Sequence, residues 1–190
     1  PAPTDIVLPK VAKAARRGPA ITRRLLSFGR TQTGEVAIFD LVEAVDEMHS
    51  LILPMFHSGI RVRMNLPAPG LSVRMDRDEL ELVLLNIASN ACDAMPHGGQ
   101  FTLSVESDGD HAQIRMEDTG EGLMPDVLAR LFEPFFTTKP KDKGTGIGMA
   151  LVHRFVADNG GEIDVDSAPG QGTRIRIRIP LALPEYEIAN

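Results

Sequence analysis

Three sets of residues in this chain have the types and spacing to do chemistry. Asn86 and Asn90 lie one helical turn apart in RDELELVLLNIASNACDAM, and i, i+4 spacing points both amides to one side of a helix. Asparagine lowers helix propensity, so the aligned pair is either two asparagines on a helix surface or a pair with a task. The task would be metal binding, because an amide oxygen is a hard ligand for Mg2+, an ion that keeps several waters and takes phosphate oxygens for the rest. Asp118 ends the run HAQIRMED, and Gly120 and Gly122 follow at once. A carboxylate there can accept the exocyclic amine of adenine, which guanine lacks at the corresponding position, while glycines let backbone approach the ring. The same residues could equally begin an ordinary turn. Gly144, Gly146 and Gly148 precede the apolar run MALVHRFV, and the free N–H groups of a helix start there would suit a triphosphate. They do not make a Walker A loop, since no Lys-Ser/Thr follows them. Nor do they make a dinucleotide fingerprint, because the spacing of GTGIG is wrong and no strand comes immediately before it.

The elements that must position these residues are legible from periodicity and punctuation. VAIFD, IRVRMNL, LSVRM, FTLSVES, HAQIRMED, GEIDVD and TRIRIRIP read as strands. Asp40 is an N-cap for a helix running to about Phe56, weakened in its last turn by Pro54. Asp76, with Glu79 three residues on, opens the helix that carries Asn86 and Asn90, whose apolar face is Leu80, Val83, Leu84, Ile87, Ala91 and Ala94. Asp108-Gly109-Asp110 marks a hairpin. A last helix runs to about Asn159, where Gly160-Gly161 stops it. This alternation predicts an α+β fold, a two-layer sandwich of helices on an antiparallel or mixed sheet.

Residues 9–32 differ in character: Val11, Ala14, Gly18, Ile21, Leu25 and Phe28 occupy the a and d positions of a heptad. Seven basic and no acidic residues fall between Asp5 and Glu35, a solvated face or a docking surface for an acidic partner. So narrow a stripe needs a partner helix, and Gly18-Pro19 should interrupt it.

The 190 residues are 43% hydrophobic with a net charge of −6, enough for one domain with a real core plus a short extra element. The acidic balance weighs against nucleic acid as the main partner. Cys92, the single cysteine, excludes an internal disulfide and suits a reducing, cytoplasmic setting. Five scattered histidines lack zinc-ligand spacing; His49 and His57, in particular, read as surface or internally satisfied side chains. No apolar run approaches the roughly 18 residues of a membrane span, and no secretory leader is present. The chain begins at Pro1 rather than Met, which reads as a piece of a longer protein whose remainder could supply either.

With these residues in place, the chain resembles the ATP-binding catalytic domain of bacterial sensor histidine kinases, within the Bergerat-fold ATPase/kinase superfamily. ELELVLLNIASNACDAMP resembles the N box, DTGEGL the first glycine box, LFEPFFTTK the F box, GTGIGMALV the second glycine box and GQGTRIRIRIP the last. The five boxes stand in order from about Glu35 to Pro180. DAMP and FFTTK resemble the nitrogen-regulator and PAS-linked branch, and residues 9–32 resemble the second helix of a dimerisation and phosphotransfer domain. The implied division is 1–34 for the remnant of that domain, 35–184 for the ATP-binding domain and 185–190 for a tail.

The resemblance implies transfer of the ATP γ-phosphoryl group to a histidine on a helix outside this chain, then relay to a response-regulator receiver domain, with a homodimer in the full-length protein. Asp118 would hold the adenine amine, supported by Thr173 through its hydroxyl or a water. Asn90 would ligate Mg2+, with Asn86 assisting metal or phosphate. Gly120, Gly122 and Leu123 would flank the base, and Gly144, Thr145, Gly146, Ile147, Gly148 and Met149 would border the phosphates. The lid would run from about Glu133 to Thr145, with Lys139 and Lys141 or Lys143 neutralising phosphate charge, and Phe132, Phe135 and Phe136 serving lid and interdomain packing. Two departures stand out. Many members carry Lys or Arg three residues after the second N-box Asn, where this chain has Asp93 in the nucleotide-binding set. No phosphoacceptor motif is present around His49, His57, His97, His111 or His153, so the chain would bind ATP without phosphorylating itself by the usual route. An ATP-hydrolysing machine of the same superfamily, or an inactive nucleotide-sensing module, are the other readings.

Overall fold

The computed structural model describes residues 35–140 and 144–182. The predicted heptad helix at 9–32, the division at residue 34, Lys141, Lys143 and the tail at 185–190 lie outside the described residues.

Strands β1 (Val36–Asp40) and β3 (Ser72–Asp76) pair antiparallel as a separate two-stranded sheet. Asp40 ends β1 and caps α1 (Leu41–Glu47), its Oδ1 accepting from the amides of Val42 (2.8 Å) and Glu43 (3.1 Å). The predicted helix to Phe56 is instead three pieces: α1, α2 (His49–Ile52) and a 3-10 turn, Leu53–Met55. Pro54 supplies the reason, since it has no N–H and its ring opposes the carbonyl four residues back. The chain tightens there to an i to i+3 bond, Phe56 N–H donating to the Leu53 carbonyl at 3.3 Å.

The main sheet has the order β2-β4-β5-β7-β6, formed by β2 (Ile60–Asn65), β4 (Gly99–Asp108), β5 (His111–Asp118), β6 (Glu162–Ser167) and β7 (Thr173–Pro180). Only β2 and β4 run parallel in it. A parallel pair needs a long crossover, and β3 with α3 (Arg77–Asp93) supplies it. Asp76 caps α3 as predicted, accepting from the amides of Asp78 and Glu79. The β4–β5 hairpin closes where the sequence places it, Asp108 pairing His111 around Gly109 at φ 66°.

Alternation along the strands gives the sheet two unlike faces. Phe101, Leu103, Ile114 and Ile177 are buried against α3 and α5 (Gly148–Asp158), which contribute Leu80, Leu84, Val152 and Phe155. The other face carries a charge ladder: Arg174 meets Glu117 and Asp166, Arg176 meets Asp164, and Arg178 meets Asp108 (2.9 Å) and Glu162 (3.1 Å). The result is the expected α+β two-layer sandwich, with the small β1–β3 sheet added. Among the described residues no helix is long and apolar enough to cross a membrane.

Candidate functional site

The two glycine clusters both close on α3, and that helix is the common wall of the site. At its C-terminal end the Glu121 amide donates to the Ala94 carbonyl (3.0 Å). At its middle, a Cβ added to Gly148 would stand 3.1 Å from Asn86 Oδ1. Asn90 therefore lies on α3 between the points where the two clusters touch it.

Asp118 is the last residue of β5 and pairs with Phe101 on one side and Thr173 on the other. Its Oδ1 accepts from the Gly120 amide at 2.8 Å, so the carboxylate itself bends the first glycine turn. Burial pushes its carboxyl above the usual range, and the amides of Gly120 and Thr173 pull it partly back. Among the described residues no cation contributes to that balance. Such a carboxylate retains acceptor capacity for a ligand N–H.

The first glycine cluster meets the protein's own backbone. Gly122 has φ 68°, and a Cβ there would overlap the Ala168 carbonyl oxygen. The Gly170 amide donates to Glu121 O at 2.7 Å, which ties the loop to the turn between β6 and β7. Ser167, which sequence reasoning passed over, is the pin of this corner. Its single hydroxyl proton goes to Gly172 O (2.8 Å), while it accepts from the Leu123 amide (2.9 Å). The Thr173 hydroxyl, 3.0 Å away, must then be the donor to Ser167. Thr173 thus faces Asp118 with its amide, and its hydroxyl, while donating to Ser167, keeps lone pairs that can accept from a ligand or a water. A serine inside an alternating strand carries no local signal of such a role.

The second cluster stands differently from the expectation in one respect: Gly148 is the first residue of α5, not a residue before it. Ile147 at the N-cap makes no side-chain cap, so the first-turn N–H groups have no side-chain acceptor at the cap. The Gly144 amide donates to Pro140 O (3.2 Å) and Thr145 Oγ1 receives the Ile147 amide (3.4 Å). Ile147 and Met149 are buried, so their side chains belong to the core and leave the backbone to face a ligand. Gly146, at φ 66°, lies against the backbone of Phe135, whose amide donates to Gly146 O at 2.9 Å.

Asn86 is not an asparagine of the helix surface: it is 3% exposed, and its Nδ2 is a buried donor without a partner among the described residues. An unmet buried donor is costly, and it is suited to an incoming oxygen. Asn90, one turn on, is only half-buried, and its Oδ1 accepts from the Lys139 ammonium at 2.9 Å. The same ammonium lies 2.6 Å from Asp93 Oδ2. These hard oxygens already hold one cation, and their chemistry fits Mg2+. No group of three His, Cys, Asp or Glu side chains that could hold a metal exists among the described residues, so most of the ligands of such an ion would have to come from phosphate and water.

The phenylalanines divide their work. Phe132 lies against His153 of α5 with the rings tilted by 40° (4.9 Å between centroids), and Phe136 lies under the Arg130 guanidinium at 4.1 Å. Phe135 is 67% exposed and is held at φ 65°. His57 is internally satisfied: Nδ1 accepts from the Gly59 amide, and Nε2 donates to Met95 O (3.2 Å each). A cavity of about 370 Å³ opens beside Asp118 and Thr173, lined by Gln100, Thr102, Glu117 and Arg174. Asp118, Ser167, Gly172 and Thr173 line it as well, so the hollow adjoins the corner that holds the first glycine cluster.

A sheet-and-helix sandwich with a half-buried carboxylate at one strand end, asparagines on the facing helix and an uncapped helix start beside them is the arrangement expected of a nucleotide-binding fold. Residues 75–183 match the family described as histidine kinase-, DNA gyrase B-, and HSP90-like ATPase, and the chain belongs to that family. Over 190 residues it is 34% identical to the sensor kinase CckA of Brucella abortus (strain 2308), a match covering 92% of this chain and 20% of that protein. The chain thus spans about a fifth of the length of that relative. Among solved structures it is similar to the mycobacterial sensor histidine kinase MprB, with a TM-score of 0.67, 29% identity, and coverage of 77% of this chain and 98% of that one. It is also similar to full-length ShkA in complex with AMPPNP, with a TM-score of 0.78, 26% identity, and coverage of 96% and 40%.

Proposed function

We propose that this chain is the ATP-binding catalytic part of a two-component sensor histidine kinase. It transfers the γ-phosphoryl group of Mg-ATP to a histidine on a transfer domain outside the chain, for relay to an aspartate of a response regulator. The observation that carries this reading is α3, which both glycine clusters touch and which places Asn90 between Asn86 and Ala94. The complex of ShkA with AMPPNP supports an adenine nucleotide as the ligand.

In this reading Asp118 accepts the adenine amine, and Gly120, Gly122 and Leu123 border the base. The amides around Gly144, Thr145, Gly146 and Ile147 and the start of α5 at Gly148 and Met149 receive the phosphates. Asn90 Oδ1 is a ligand for Mg2+, and the unmet Nδ2 of Asn86 donates to a phosphate oxygen. When bound, the ion neutralises phosphate charge and orients the transferred group. Phosphoryl transfer asks the protein mainly for positioning and charge neutralisation, and Lys139 contributes to both. Asn86 also sets this chain apart from a hydrolase, because an amide in that place cannot take a proton from water.

We assign residues 35–184 to the ATP-binding domain, 1–34 to part of the dimerisation and phosphotransfer domain, and 185–190 to a tail. The DAMP sequence starting at Asp93 and the FFTTK sequence ending at Lys139 support the nitrogen-regulator and PAS-linked branch, the single Cys92 supports a cytoplasmic location, and the kinase family supports a dimer in the full-length protein. The test is to mix the purified chain with labelled ATP and a separate protein carrying its own transfer helices. Acid-labile, base-stable label on the helix protein is expected; steady phosphate release without protein label would assign the chain to the hydrolases instead.

A further inference from the structure

Lys139 and Asp93 are 46 residues apart in sequence, yet the Lys139 ammonium lies 2.6 Å from Asp93 Oδ2 and 2.9 Å from Asn90 Oδ1. Asn90 and Asp93 are separated by three positions of α3 and so share a side of that helix. The lysine is held from its other end as well, its own amide donating to Thr137 Oγ1 at 3.1 Å. Its side chain is 32% exposed, and among the described residues these two oxygens are the acceptors its ammonium meets. An isolated exposed ion pair is worth little; a cation seated on two oxygens, one of them the oxygen needed for another cation, has a consequence for binding.

We infer that Asp93 is a positioning residue that holds the Lys139 ammonium on Asn90 Oδ1, so that the lysine and a divalent cation compete for that oxygen and Mg-nucleotide must displace the lysine to enter. This inference rests on the nucleotide reading above. Two cations cannot share one amide oxygen without like-charge repulsion at close range. The Asp93 carboxylate biases the contest toward the lysine by adding its own contact to the ammonium. Metal-free nucleotide leaves Asn90 Oδ1 uncontested, so the latch weighs on Mg-nucleotide selectively. Once the lysine is released from Asn90, the same ammonium is free to meet phosphate oxygens, which makes the displaced group useful rather than idle.

The sign of the effect separates this device from plain electrostatics. Removing a carboxylate beside a metal site weakens the metal on charge grounds alone; removing the partner that holds a competitor strengthens it. The experiment measures, by calorimetry, the ratio of affinities for ATP with Mg2+ and for ATP with chelator, in the wild-type chain and in Asp93→Asn, Lys139→Met and the double variant. Asp93→Asn is expected to raise the ratio about two- to fivefold, the range that follows from losing one partly exposed ion pair. In the Lys139→Met background the same change should give no gain, since the competitor is gone. A fall in the ratio for Asp93→Asn, or an equal gain in both backgrounds, would overturn the inference while leaving the nucleotide site intact. A wild-type chain that binds no ATP under either condition would overturn both readings.

Discussion

Asp118 is a half-buried carboxylate with no cation beside it among the described residues, and that has a thermodynamic signature. Its folded pKa is raised above the ordinary value of 3.8, so the protonated form is favoured by folding. The corresponding stability is fully present below the unfolded pKa and is lost as pH rises through the folded pKa. At neutral pH the ionised side chain therefore opposes folding, although two amides compensate it in part. Asp118→Asn keeps an acceptor for the Gly120 amide and removes the charge. It is expected to raise the Tm at neutral pH, to lose that advantage as pH falls toward 3.8, and to abolish ATP binding because the oxygen pair that receives the adenine amine is halved. Thermal melts across pH with parallel calorimetry check both halves; unchanged ATP affinity would remove Asp118 from the base site. Asn86 shows the same tension in an uncharged group. Its 3% exposure and unmet Nδ2 were not legible in the sequence, because i, i+4 spacing gives the side of a helix and not the depth to which each turn is covered. That depth comes from Gly148, sixty-two positions later in the chain by its number, lying against Asn86 Oδ1.

At the scale of elements, what is local in sequence is what the sequence reveals. The N-caps at Asp40 and Asp76 and the Asp108–His111 hairpin stand where their residue types put them, since each is decided by bonds within a few residues. The parallel pairing of β2 with β4 and the short helix α4 (Pro125–Leu128) within the glycine stretch were not visible. The first depends on contacts between distant segments, and the second is a single turn too short to show an apolar period. The Ser167 corner is the clearest instance, linking Leu123, Gly172 and Thr173 through one hydroxyl. Ser167→Ala strands a part-buried amide and carbonyl, and it is expected to lower stability by about 1–3 kcal/mol. Because the Leu123 amide fixes the end of the first glycine loop, the same variant should weaken ATP binding, and Ser167→Thr should restore much of both losses by returning the hydroxyl. Denaturant unfolding with an ATP titration would decide it. Full ATP affinity in Ser167→Ala would show that the corner holds the turn and leaves the base site unaffected.

For the whole molecule, local rules yield at the candidate site: an uncapped helix start, a half-buried carboxylate and an unmet amide. The unmet amide and the uncapped N–H groups are free-energy debits in the empty protein that a bound phosphate can relieve. The consequence is that nucleotide should stabilise the folded chain as a unit, and that the metal should show in the size of the effect. A ligand present at a hundred times its Kd adds about 2.7 kcal/mol to the stability of the state it binds. Mg-ATP is therefore expected to raise the melting temperature by several degrees, about 4–8 °C per kcal/mol being typical of a small domain and less in larger ones. Asn90→Ala removes one oxygen from the metal side and also the seat of Lys139. It should reduce the shift given by Mg-ATP and leave the shift given by ATP with chelator near its original value, because metal-free nucleotide does not call on that oxygen. Equal losses under the two conditions would mean that Asn90 touches the nucleotide directly, and the ligation role would then pass to another group on the α3 wall.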